Sequence, residues 1–269
     1  RLLAFIGGKA ESALLMDAFN ILLEEDIFRT NPQALEKLNG WVKARDASRQ
    51  PAAMYAMGSL LLEKDDLSGA VKMAEEGLSK YPQSLPVQIL SLNTITVLLD
   101  KNRLQDAERL ISKYPGSSPD LVFQQGALAF LKKDYSLAQK LFREAARRAS
   151  ETTAENALFN ENLAALNAND ASGAAALIKE AAGSSRLRES ILFEQAHYAA
   201  KRMAPQAAEL LANFITLAET PTLKTQARLD QVEVALNLNP PDLETVQAIL
   251  PLLEKEQLSP EQTMRLARL

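Results

Sequence analysis

The chain has 269 residues, 47% hydrophobic and 24% charged, with a formal net charge of −4. That is the composition of a folded globular protein, and its acidic balance disfavours nucleic acid, whose phosphates select a basic face that the Arg147-Arg148 pair is too small to supply. The absence of cysteine excludes disulfides, cysteine nucleophiles and thiolate metal sites together. It also leans toward an oxidising compartment such as a bacterial periplasm.

The first residues, Leu2, Leu3, Phe5 and Ile6, form an apolar stretch. It is too short for a secretory signal or for the ~20 apolar residues that cross a bilayer. It reads as a helix beginning mid-stream, and residues 264–269 read as a helix cut short. The sequence therefore points to a processed chain or a piece of a longer protein. Alanine and leucine dominate the apolar content, which favours helix throughout.

Residues 52–82 carry the clearest pattern. Met54, Met57, Leu60 and Leu61 fall at helical spacing, Lys64-Asp65-Asp66 makes a polar turn, and Ala70, Met73, Ala74, Gly77 and Leu78 resume the periodicity until Tyr81-Pro82 stops it. This predicts an antiparallel helix pair. Gly58 and Ala70 return as Gly126 and Ala138, each displaced by 68 residues, twice 34. Lys64/Lys132, Asp66/Asp134, Ser68/Ser136, Lys72/Lys140 and Glu76/Glu144 match at the same offset. A beat of about 34 residues is the period of stacked helical hairpins.

The units resemble tetratricopeptide repeats. The resemblance rests on Gly58, Ala70, Ala74, Gly77 and Pro82 in one unit and on Gly126, Tyr135, Ala138, Phe142 and Ala145 in another. Small residues there let neighbouring helices approach, and the bulky residue fills the gap between repeats. Ala34, Ala107, Ala174 and Ala207 extend the series as degenerate units, with spacings of 36, 37, 31, 36 and 33 residues across all six alanines. The unit at Ala107 breaks early at Tyr114-Pro115-Gly116, Asn162 replaces the glycine of the Ala174 unit, and Asn169-Asp170 forms its turn. A last pair, 223–238 and 242–257, flanks Asn239-Pro240-Pro241. The resemblance implies an all-α, right-handed superhelical solenoid of about six to seven antiparallel helical hairpins. It would be a single array over 1–269, with a soft point at 114–119.

Few residues offer chemistry. His197 is the only histidine. With Glu194 it makes one Glu-x-x-His step, whereas carboxylate-bridged metal sites need two, so no metal is expected. No Gly-x-Ser-x-Gly elbow accompanies it. Gly7-Gly8-Lys9 lacks the spacer and second glycine of a phosphate loop. The Glu24-Glu25-Asp26 run lacks calcium-loop spacing and reads as a solvated helix end. The expectation is a non-enzymatic chain with no cofactor.

In the family, ligands lie along the first helix of each hairpin. Some co-chaperones place a lysine and an asparagine there to clamp a carboxylate. The matching residues here are Tyr55 and Ser59, Phe123 and Ala127, Phe159 and Leu163, Leu192 and Ala196, so the clamp is absent. Instead the resemblance puts an apolar ladder on this face: Tyr55, Leu62, Phe123, Phe130, Phe159, Leu163 and Leu192. Two readings stand, an open groove for a protein segment or a covered core. The expected function is a scaffold that binds a partner protein, with Glu63, Lys64, Asp100 and Lys132 as rim charges tuning specificity. The resemblance extends to modules that assemble bacterial envelope, secretion or polysaccharide-export complexes. The alternative is a regulatory or assembly domain of a larger enzyme or transporter whose active part lies elsewhere.

Overall fold

A computed structural model describes residues 2–7, 12–44 and 46–269. Among them are seventeen α-helices and no strand, so the chain is all-α. None of these helices is long and apolar enough to cross a membrane. The contacts divide the chain into two compact units, residues 1–145 and 146–269.

The first unit holds α1 (Leu2–Gly7), α2 (Ser12–Glu24), α3 (Ile27–Thr30), α4 (Pro32–Lys43), α5 (Gln50–Glu63), α6 (Leu67–Lys80), α7 (Leu85–Asp100), α8 (Leu104–Lys113) and α9 (Pro119–Leu131). It also holds most of α10 (Tyr135–Arg148). The second contains α11 (Glu151–Asn167), α12 (Ala171–Glu180), a 3₁₀ turn (Ala181–Gly183), α13 (Ser185–Lys201), α14 (Ala207–Leu217), α15 (Pro221–Leu236), α16 (Leu243–Leu253) and α17 (Pro260–Leu266).

Neighbours in sequence are neighbours in space. In the first unit α5 packs on α6 and α7, α6 on α7 and α8, and α7 on α8 and α9. In the second, α11 packs on α12 and α13, α13 on α14 and α15, and α15 on α16 and α17. The apolar interior follows suit. It is a succession of local clusters, one around Phe19, Phe28 and Leu38, the next around Leu90, Leu98 and Leu110, and others around Leu211 and Leu229 in the second unit. This helical-repeat-like arrangement buries each hairpin against its neighbours. The segment 114–119, between α8 and α9, lies inside the first unit, where Tyr114 is buried and Gly116 adopts φ 76°.

The small residues singled out by periodicity sit where helices come closest. Ala34, Ala70, Ala107, Ala138, Ala174 and Ala207 are all buried. A methyl group added at Gly58 would lie 2.3 Å from Leu90 on α7, at Gly77 2.9 Å from Val87, and at Gly126 2.8 Å from Phe142 on α10. These three glycines stand at three different crossings, and each is a place where the backbone must touch a neighbouring side chain.

The turn within a hairpin is also repeated. In α5–α6 the Asp66 N–H donates to Leu61 C=O at 2.8 Å and the Asp65 N–H to Leu62 C=O at 3.0 Å, with Asp65 at φ 59°. The same double closure, with a left-handed residue, recurs at Asn102, Lys133, Asn169 and Met203. This is the Schellman stop that satisfies the last carbonyls of a helix. In three of these turns the next residue, Asp66, Asp134 or Asp170, opens the second helix. Its carboxylate accepts from the backbone N–H of Gly69, Leu137 and Gly173 respectively.

Left-handed backbone costs a residue with a side chain about 1–2 kcal/mol, least for Asn and Asp. Lys133→Gly should therefore raise stability by about 0.5–1 kcal/mol in chemical unfolding. Gly58→Val, which drives a branched side chain into Leu90, should lower it by about 1–3 kcal/mol.

Candidate functional site

All seven residues of the apolar ladder lie on first helices: Tyr55 and Leu62 on α5, Phe123 and Phe130 on α9, Phe159 and Leu163 on α11, and Leu192 on α13. Each is half-buried. Tyr55 and Leu62 pack against the cluster around Leu90 and Leu98, Phe159 against that of Leu177 and Ile191, and Leu192 against that of Leu211. Phe123 meets buried Phe142 edge-on at 5.3 Å between ring centroids, and Phe130 meets Tyr135 at the same separation. One side of these six residues is thus anchored, and part of each, as of Leu163, remains in solvent.

In the first unit α7 stands between the α5 and α9 pairs, touching both. Its Ile89 is half-buried and lies 34 residues from both Tyr55 and Phe123. Sequence reasoning passed over Ile89, although halving the 68-residue echo leads to it. Of the rim charges, Glu63 pairs with Arg29, Lys132 pairs with Glu108 at 2.7 Å, and Lys64 and Asp100 are exposed.

The second unit holds a feature of another kind. Asp230 of α15 is 1% exposed, with Oδ2 2.6 Å from His197 Nδ1 on α13 and Oδ1 2.7 Å from Arg265 Nη2 on α17. The Gln226 amide donates to it at 3.3 Å, and Arg265 also pairs with Glu233. A buried carboxylate needs such partners, because desolvation alone would cost several kcal/mol. Facing Asp230, His197 carries its proton on Nδ1, which leaves Nε2 as the remaining ring nitrogen.

This cluster lines an open cleft of about 610 Å³ shared by α13, α15 and α17, with Lys201, Asn237 and Glu261 also at its wall. The cleft is of the size of small-ligand sites. His197, in addition, stacks on Phe193 at 5.4 Å. Half-buried Glu194 sits behind it, and burial pushes its carboxyl above the ordinary range. Attraction to His197 opposes that rise, Asp230 adds to it, and Lys201 opposes it.

His197 thus pairs with an acid one repeat onward. Asp230 and Arg265 were not singled out in the sequence. The available signal was an aspartate at helical spacing with Ala227 and Val234 on α15, 33 residues after the only histidine.

Among the described residues no group of three or more His, Asp or Glu could hold a metal ion. The Glu24-Glu25-Asp26 run is exposed, with Asp26 paired to Arg29 at 2.7 Å. Of Gly7-Gly8-Lys9, Gly7 ends α1, and Gly8 and Lys9 lie outside the described residues. Compared with protein-family models and with curated proteins, the chain matches none.

The raised Glu194 carboxyl gives a pH-dependent outcome. A carboxyl that binds its proton more tightly when folded adds stability at low pH and loses it as pH rises through the raised value. Glu194→Gln should therefore stabilise the chain at neutral pH. That gain should shrink to nothing as pH falls below the ordinary carboxylate range, measured by unfolding at a series of pH values.

Proposed function

We propose that the chain is a non-enzymatic scaffold, each unit a segment of a right-handed tetratricopeptide-like solenoid, that binds a partner protein along its first helices. The half-buried ladder is the observation that carries this reading. Apolar groups anchored on one side and wet on the other are pre-ordered, so covering them removes apolar surface from water with little loss of side-chain freedom.

The exposed faces of the second helices α6 and α10 carry charges such as Lys72, Glu76 and Lys140, beside the exposed Leu137. Glu75 is engaged by Arg109 at 2.9 Å and Lys113 at 3.2 Å. Affinity would come from the aromatic and aliphatic groups and specificity from rim charges. Assembly of an envelope complex is the setting suggested by the family resemblance and the cysteine-free, acidic composition.

Site-specific photocrosslinking in cells of the source organism tests the reading. A photoreactive phenylalanine analogue at Tyr55, Phe123 or Phe159 should capture one and the same partner protein. The analogue at Lys72 or Lys140 should capture none. Equal capture from both sets, or capture from neither, would remove the binding face from the first helices.

A further inference from the structure

The cleft in the second unit has an occupant supplied by the chain itself. Arg265 reaches in from α17, a seven-residue helix that buries no residue of its own. Its guanidinium rests between Asp230 and Glu233, both on α15. The Asp230 carboxylate is held in place independently of α17, by His197 from α13 and Gln226 from its own helix. The anionic seat therefore belongs to α13 and α15, and α17 only fills it.

Removing Arg265 would leave three carboxylates, Asp230, Glu233 and Glu261, facing Lys201 and His197. A buried carboxylate that loses a cation is costly, so the empty seat would select a new cation strongly. A planar, forked guanidinium fits two neighbouring carboxylates better than an ammonium does. The remaining open space, about 610 Å³ with Arg265 in place, is room for the backbone of an incoming segment.

We infer that the Asp230–Glu233 seat is a binding site for an arginine side chain of a partner protein, occupied in the free chain by Arg265, which the partner's arginine displaces. The cleft then combines recognition with a self-contact that must open first. The inference builds on the scaffold reading by naming one side chain of the partner. It makes a cation-selective contact in the second unit, chemically distinct from the apolar ladder. A displaced Arg265 would leave α17 held by Leu266, which packs against the cluster around Leu229.

The test uses the full 269-residue chain with Arg265→Ala and, as probe, N-acetyl-arginine amide. Its neutral isostere N-acetyl-citrulline amide is the control, and binding is followed by calorimetry and by thermal shift. Arg265→Ala should bind the arginine probe saturably and at least about tenfold more tightly than the parent chain, the scale of a charge-assisted hydrogen bond. The citrulline probe should not bind, and adding Glu233→Gln should abolish the gain.

Absence of saturable binding to Arg265→Ala overturns the inference, as does equal binding of citrulline or an undiminished affinity with Glu233→Gln. Arg265→Gln, which keeps the methylene stem, guards against misfolding. Unfolding of both variants would show that Arg265 is structural and overturn the inference too. These readouts need no natural partner, so they stand or fall separately from the crosslinking result.

Discussion

The closest approach between helices governs this chain. Where paired helices cross, the sequence places alanine or glycine, and the neighbouring side chain fills the space left. Ala70, Ala107, Ala138 and Ala207 are 0% exposed, and Gly58 leaves so little room that Leu90 lies where its Cβ would be. Packing at this density makes helix spacing a matter of side-chain volume. Spacing in turn sets which surface residues of successive hairpins meet. The ladder and the ionic cleft are both consequences, since each depends on first helices standing side by side.

Polar residues in these contact layers follow a related constraint. Asn162 stands where a glycine is expected and is fully buried, and it accepts a hydrogen bond from Gln195 at 2.9 Å on the next first helix. Asp230 is satisfied by His197 before it and Arg265 after it. Glu189 of α13 reaches forward to receive the Glu219 and Thr220 N–H groups at 2.8 and 2.7 Å, closing the start of α15. The Asn162 Oδ1, Asp230 and Glu189 oxygens are each answered from an adjacent hairpin, while the buried Asn162 Nδ2 has no partner among the described residues. The second unit therefore carries more polar specification along its first helices than an alanine-rich sequence suggests.

Much of this was legible because helical periodicity and turn chemistry are local. Lys64-Asp65-Asp66 and Asn169-Asp170 both form the turns expected of them, and the helix ending at Tyr114-Pro115-Gly116 is short, Leu104–Lys113. The pair expected at 223–238 and 242–257 is observed as Pro221–Leu236 and Leu243–Leu253, with Pro251 accommodated inside the last turn. What stayed hidden was pairing between repeats. The distance from one left-handed turn residue to the next varies between 31 and 37 residues from Asp65 to Met203. A fixed offset therefore loses register, and Asp230 and Arg265 fall on no common beat with the strong units. The ladder residues stand out in the sequence because they are large and apolar, and Ile89 does not because it lies in a unit that lacks the glycine signature.

Side-chain hydrogen bonds such as Arg109–Glu75 and Gln124–Thr96 in the first unit and Gln195–Asn162, Gln195–Ala174 and Arg202–Asn169 in the second join neighbouring hairpins over 21 to 34 residues. No hairpin must wait for a distant part of the chain before its contacts form. Low contact order of this sort favours rapid folding, with loop-closure entropy small for every contact made. It also makes each unit able to open at one end while the rest stays ordered, in the manner of a one-dimensional stack. For the last helix of the second unit, held by Arg265 and by Leu266 against the cluster around Leu229, fraying is then a local event whose free energy is separate from that of global unfolding.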